Sequence, residues 1–179
     1  MSTASADGTL SQVGDRWELR FERRLDFPVE EVFDAITKPD RLALWIGTAR
    51  HELREGGRFW LRFDKTMNNV VEGTITRYEP PTLFEHTFES PEGADDPAGL
   101  VRWELRPDGD GCVLVLTHAL DDPKHGSSAL SGWDTLLENL PDALAGRDTT
   151  WTMERWSEVH DQYAARYGGP SAAEMQSEM

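Results

Sequence analysis

The sequence is short of most features that would announce a chemistry. With one cysteine, Cys112, no internal disulfide can form, and its setting in "GCVLVLT" points to a buried strand thiol rather than a nucleophile. No stretch approaches the ~20 consecutive apolar residues that span a bilayer. The opening "MSTASADGTLSQVGD" has no basic region followed by an apolar run, so neither a leader nor an anchor is expected and the cytoplasm is the expected location. Positive charge is scarce. The 18 Lys and Arg stand against 33 Asp and Glu, and the formal charge of -15 repels phosphate backbones and anionic lipid, which argues against nucleic acid and membrane as partners. The acidic residues are spread along the chain, as on a solvated surface. There is no "GxxxxGK[ST]", "GxGxxG", "HExxH" or "GxSxG". His51, His125 and His160 lie in polar or loop-like surroundings without ligand spacing, so no metal and no cofactor is expected.

What is present is periodicity. "RWELRFERRL" alternates, with Trp17, Leu19, Phe21 and Leu25 on one side and Glu18, Arg20, Glu22 and Arg24 on the other, which predicts a half-buried strand. "FPVEEVFDAIT" changes period: Pro28 opens a helix, Glu30 and Glu31 suit its first turn, and Val29, Val32, Phe33 and Ile36 share a face. "PDRLALWIG" is a second brief helical piece closed by Gly47. From "ARHEL" to "CVLVLTHAL" the period returns to two, giving about six antiparallel strands with the strongest hairpin signal at "RPDGDG".

A sheet with one apolar face needs a lid, and residues 128 to 144 supply it. Leu130, Trp133, Leu137, Leu140 and Leu144 follow at steps of three or four. Pro141 should kink or end that helix near Leu137 to Leu140. Residues 151–167 form an extra helix. The expected organisation is a tail over 1–15, one α+β domain over 16–168 and a frayed tail over 169–179.

Taken in order, "FPVEEVFDAITKPDRLALWIG", "EGGRF", "GTITRYEPPTLFEHTF", "RWELRPDGDGCVLVLTH" and "GWDTLLENL" resemble the bacterial proteins related to the C-terminal domain of the Hsp90 ATPase activator, in the START-like (SRPBCC, Bet v 1-like) superfamily, over about residues 16 to 146. The resemblance implies the helix-grip fold: a bent antiparallel sheet wrapped around a long C-terminal helix, often with a cavity between. The eukaryotic activator works beside a separate chaperone-binding domain, and no stretch here is expected to be that domain.

The candidate site is the inner face. Phe84, His86 and Phe88 alternate with Glu85, Thr87 and Glu89, so His86 is expected to point inward. His118 is ambiguous, because both faces of its strand are apolar. Trp45, Phe59, Leu61, Phe63, Trp103, Trp133 and Leu137 complete the expected lining, either as pocket wall or as core filling. No catalytic set is complete. The leading expectation is a non-enzymatic carrier or sensor for a small, largely apolar molecule. One alternative is a cyclase or dehydratase using His86; another is an interaction module, chaperone-linked or regulatory, and a homodimer is left open.

Overall fold

The structure is a computed structural model that describes residues 7–90 and 99–177. Its strands follow the alternation of side chains. In chain order they are β1 (Thr9–Val13), β2 (Arg16–Leu25), β3 (Thr48–Ala49), β4 (Arg58–Arg62), β5 (Val70–Glu79), β6 (Leu83–Phe88), β7 (Gly99–Asp108) and β8 (Gly111–Leu120). They form one curved sheet in the order β1-β2-β8-β7-β6-β5-β4-β3, antiparallel at every pairing. In β2, Leu19, Phe21 and Leu25 are buried while Arg20, Glu22 and Arg24 are exposed; in β6 every second residue from Phe84 is buried. One face of the sheet is therefore apolar and must be covered.

Helices supply the cover. α1 (Val29–Thr37) follows Pro28, carries Glu30 and Glu31 in its first turn and stops at Lys38, which Pro39 holds extended. α2 (Pro39–Leu42) leads to Trp45, which is fully buried. The long α3 (Gly126–Leu144) turns Leu130, Trp133, Leu137, Leu140 and Leu144 onto the sheet. α4 (Met153–Tyr167) starts at Thr152, whose side chain accepts from the Arg155 amide, and packs on α3 through Trp156, Val159, His160 and Tyr163. α5 (Ala172–Ser177) closes the described chain.

Two expectations change. The helix does not end near Leu137 to Leu140; it runs through Pro141 to Leu144. Pro141 is exposed and lies in the last turn, so only the Leu137 carbonyl loses its helical donor, and buried Ala143 and Leu144 hold that turn against the core. The expected tails carry structure as well. Residues 9–13 pair with β2, and residues 172–177 are helical; residues 1–6 and 178–179 lie outside the described residues.

Candidate functional site: the aromatic interior

Register settles which side chains meet. Leu19, His118, Val101, His86 and Ile75 stand side by side across β2, β8, β7, β6 and β5. The next inner row is Phe21, Leu116, Trp103, Phe84 and Tyr78. His118, ambiguous in the sequence, therefore faces inward with His86. Two strand spacings separate the backbones of the two histidines, roughly 10 Å.

All eleven expected lining residues, Trp45, Phe59, Leu61, Phe63, Phe84, His86, Phe88, Trp103, His118, Trp133 and Leu137, are buried between sheet and helices. The gap expected there is occupied by their own side chains. His51 and His86 both stack on Phe59, with ring centroids 4.4 and 3.6 Å away. Trp103 meets Trp45 and Trp133 edge-on at 6.4 and 5.5 Å. Phe63, Phe88 and Trp133 contact one another with ring centroids within 6.4 Å, and all three are buried. An open recess of about 300 Å³ lies on the other side of the sheet, bordered by the outward residues Arg102, Glu104, Arg106, Val113 and Val115.

The polar groups in this interior are mostly satisfied. Trp133 Nε1–H donates to His118 Nδ1 at 3.1 Å, tying α3 to β8. Trp45 Nε1–H donates to the Ala35 carbonyl at 3.0 Å. His86 Nδ1 lies 2.9 Å from the Thr87 carbonyl, so it carries the ring proton. Burial pushes His86 down to about 3, and the Thr87 bond only partly offsets this. An imidazole with that pKa has no proton to give at neutral pH and is a weak base, which weighs against an acid–base role for His86. His51 is likewise pushed down to about 4 by burial. Its Nδ1 accepts from the Trp60 amide at 3.3 Å, so Nε2 carries the proton.

Two donors stand apart. Trp103 Nε1 and His51 Nε2 are out of solvent and meet no acceptor among the described residues. Each such group costs about 1–3 kcal/mol when left unpaired, so it calls for an explanation.

A charged cluster that sequence reasoning missed lies beside the aromatic interior. Asp134 of α3 is fully buried; it accepts from Arg23 Nη2 at 3.0 Å and from the Tyr163 hydroxyl at 2.6 Å. Tyr163 in turn accepts from the Gly8 amide at 2.9 Å, and Arg23 also pairs with Asp7 at 2.7 Å. Burial, with the Asp134 carboxylate beside it, pushes the Tyr163 hydroxyl well above its ordinary value, so it remains a donor. These groups fasten the segment before β1 to β2, α3 and α4. Gly8 fits there because a Cβ would fall 2.4 Å from the Phe21 ring. The signal was in the period: Arg23 is in phase with Leu19, Phe21 and Leu25, and Asp134 follows Leu130 by four residues.

Among the described residues no three His, Cys, Asp or Glu side chains are grouped to hold a metal ion, and no helix is long and apolar enough to cross a membrane. A curved antiparallel sheet gripping a long helix over an aromatic interior defines the helix-grip, Bet v 1/SRPBCC-like class. Within that class, the chain belongs to the family described as activator of Hsp90 ATPase homolog 1-like protein, whose model matches residues 26–145. It is similar to the crystal structure of CalU16 from Micromonospora echinospora, with 27% identity, 92% of this chain and 98% of that one covered, and a TM-score of 0.71. The solution structure of the Bordetella parapertussis protein encoded by BPP1335 is similar at 26% identity, with 93% and 95% covered and a TM-score of 0.69. A protein of unknown function from Enterococcus faecalis, EF2215, shares the fold at 14% identity, with 89% and 90% covered and a TM-score of 0.70. No curated protein matches the chain.

Proposed function

We propose that the chain is a carrier or sensor that holds a small, largely apolar molecule between the sheet and α3. The fold family typically binds ligands, and one observation in this chain favours that use. Trp103 is 3% exposed, yet its indole N–H has no acceptor among the described residues, whereas the indoles of Trp45 and Trp133 on either side are bonded. An interior evolved only for packing gains by replacing such a group with carbon. An interior that receives a guest with an acceptor keeps it.

The test is native mass spectrometry of the protein gently purified from its own cells, set against its denatured mass. Extra mass lost on denaturation supports the carrier reading; a bare native protein counts against it. Trp133 both fills space and bonds His118, so truncating it would disturb fold and binding together. Trp103→Phe separates the two. Its expected effect on the free protein is a change of about 1 kcal/mol or less, since removing a buried unpaired N–H offsets the space left by the smaller ring, while the bound mass is reduced or lost. A variant that loses stability and keeps the full bound mass would overturn the assignment of Trp103.

A further inference from the structure

We propose that the outer face of the sheet, over β2, β8, β7 and β6, is a self-association surface on which a second copy of this chain docks weakly, its β8 antiparallel to the first. Register arranges the outward side chains in columns. Along β8 they are Val113, Val115, Thr117 and Ala119, an uncharged stripe down the middle of the face. On the β2 side of the stripe stand, in the same order, Arg24, Glu22, Arg20 and Glu18. On the β7 side stand Arg106, Glu104, Arg102 and Leu100. Charge therefore alternates in sign along both walls, in step. The open recess of about 300 Å³ lies on this face, with Val113, Val115 and the half-buried Leu83 of β6 among its walls.

The alternation fixes both the occupant and its direction. When two such faces meet with antiparallel β8 strands, a two-fold axis between the Val115 and Thr117 rows sets Val115 against Thr117 and Val113 against Ala119. The same axis sets Arg20 against Glu22, Arg24 against Glu18 and Arg102 against Glu104, each pair occurring twice, and lays Leu100 on the stem of Arg106. Opposite charges meet on both walls. A two-fold axis along the strands would instead put β2 over β7, with Arg20 on Arg102 and Glu22 on Glu104, so like charges oppose it. The four arginines are balanced by Glu18, Glu22, Glu104 and, from β6, Glu85, so the formal charge of -15 lies elsewhere and two copies repel least through this face. Within one chain Glu22 pairs loosely with Arg106 at 3.5 Å and with Arg20 at 3.9 Å. Such exposed pairs contribute little, so exchanging them for partners in a second copy costs little. Strand and residue spacings make the patch roughly 15 by 20 Å, small beside the ~800 Å² per partner of a standard interface, which makes the dimer a weak one.

Sedimentation equilibrium of the full-length protein from about 1 μM to about 1 mM tests this, with the mass expected to rise from one chain towards two and a Kd on the order of 10–100 μM. Arg20→Glu brings a carboxylate to the second copy's Glu22, and Glu22→Arg brings a guanidinium to its Arg20. Each should weaken the dimer at least about tenfold, although the two move the net charge in opposite directions. Both side chains are nearly half exposed, so the variants keep the fold. Arg20→Glu and Glu22→Arg combined in one chain restore opposite signs across the axis and should return the Kd to within about threefold of wild type. One-chain mass at every concentration overturns the proposal and leaves the face to another partner. A dimer that both single variants leave unchanged overturns this face as the contact, and a double variant as weak as the singles overturns the antiparallel pairing.

Discussion

Replacing Asp134 by alanine is expected to cost about 3–5 kcal/mol of folding stability, among the largest losses any single side chain here can produce. The carboxylate is fully buried and holds Arg23 on one oxygen and Tyr163 on the other. Removing it leaves a largely buried guanidinium with Asp7 as its remaining carboxylate and a buried hydroxyl without its acceptor, beside a new cavity. For a chain of this length the loss corresponds to a fall in Tm of roughly 6–20 °C. Tyr163→Phe removes the charge-assisted bond to Asp134 and the acceptor of the Gly8 amide, and should cost about 1.5–3 kcal/mol. Because both residues act on one carboxylate, the double variant should lose less than the sum of the singles. Urea unfolding of the three variants decides the matter: an Asp134→Ala loss below about 1 kcal/mol would show that the cluster is not a structural clasp. The same variants should speed amide exchange at Gly8 and along β1, since Gly8 donates to Tyr163 and Asp7 pairs with Arg23.

How far the sequence reveals this arrangement depends on which kind of information each feature requires. Side-chain periodicity carries the strands and α3, because burial of Leu19, Phe21, Phe84 or Leu130 is a property of one element repeated at a fixed step. β1 has no such repeat. In "TLSQV" only Leu10 is even partly buried, and the strand is held by backbone pairing to β2, which side-chain pattern does not report. The direction of His118 was hidden because Val113 and Val115 make the outer face of β8 apolar too; it took the register with Val101 and His86 to fix it. Arg23 and Asp134 were visible as polar residues in apolar phase, but their partnership depends on how α3 lies across β2. The unsatisfied N–H of Trp103 is further still from the sequence, since a missing partner is a statement about every neighbouring element at once. Pro141 shows the opposite error: a local rule predicts a kink or an end near Leu137 to Leu140, and the helix does not end there but runs on to Leu144, with Ala143 and Leu144 buried.

Stability should fall steeply as the protein is acidified from about pH 6.5, and the two interior imidazoles are the reason. His51 and His86 stay neutral in the folded protein down to about 4 and about 3, while in the unfolded chain each takes up a proton near 6.5. Below 6.5 the unfolded state therefore binds protons that the native state refuses, so unfolding is favoured as pH drops; above 6.5 both states are neutral and these groups add no slope. The contribution of His51 is exhausted near pH 4 and that of His86 near pH 3. At about 1.4 kcal/mol per pH unit for each group, the cumulative losses are on the order of 3 and 5 kcal/mol, comparable with the whole stability of a typical domain. Acid also discharges the surface, and as the net charge of -15 shrinks the relief of self-repulsion works the other way. His86→Phe isolates the interior term. In urea unfolding at stepped pH, wild type should lose stability between pH 6.5 and 4, and His86→Phe should lose about 1.4 kcal/mol less per pH unit once below 6. A wild-type stability that is level over this range, or an equal slope in the variant, would show that the interior accepts charge.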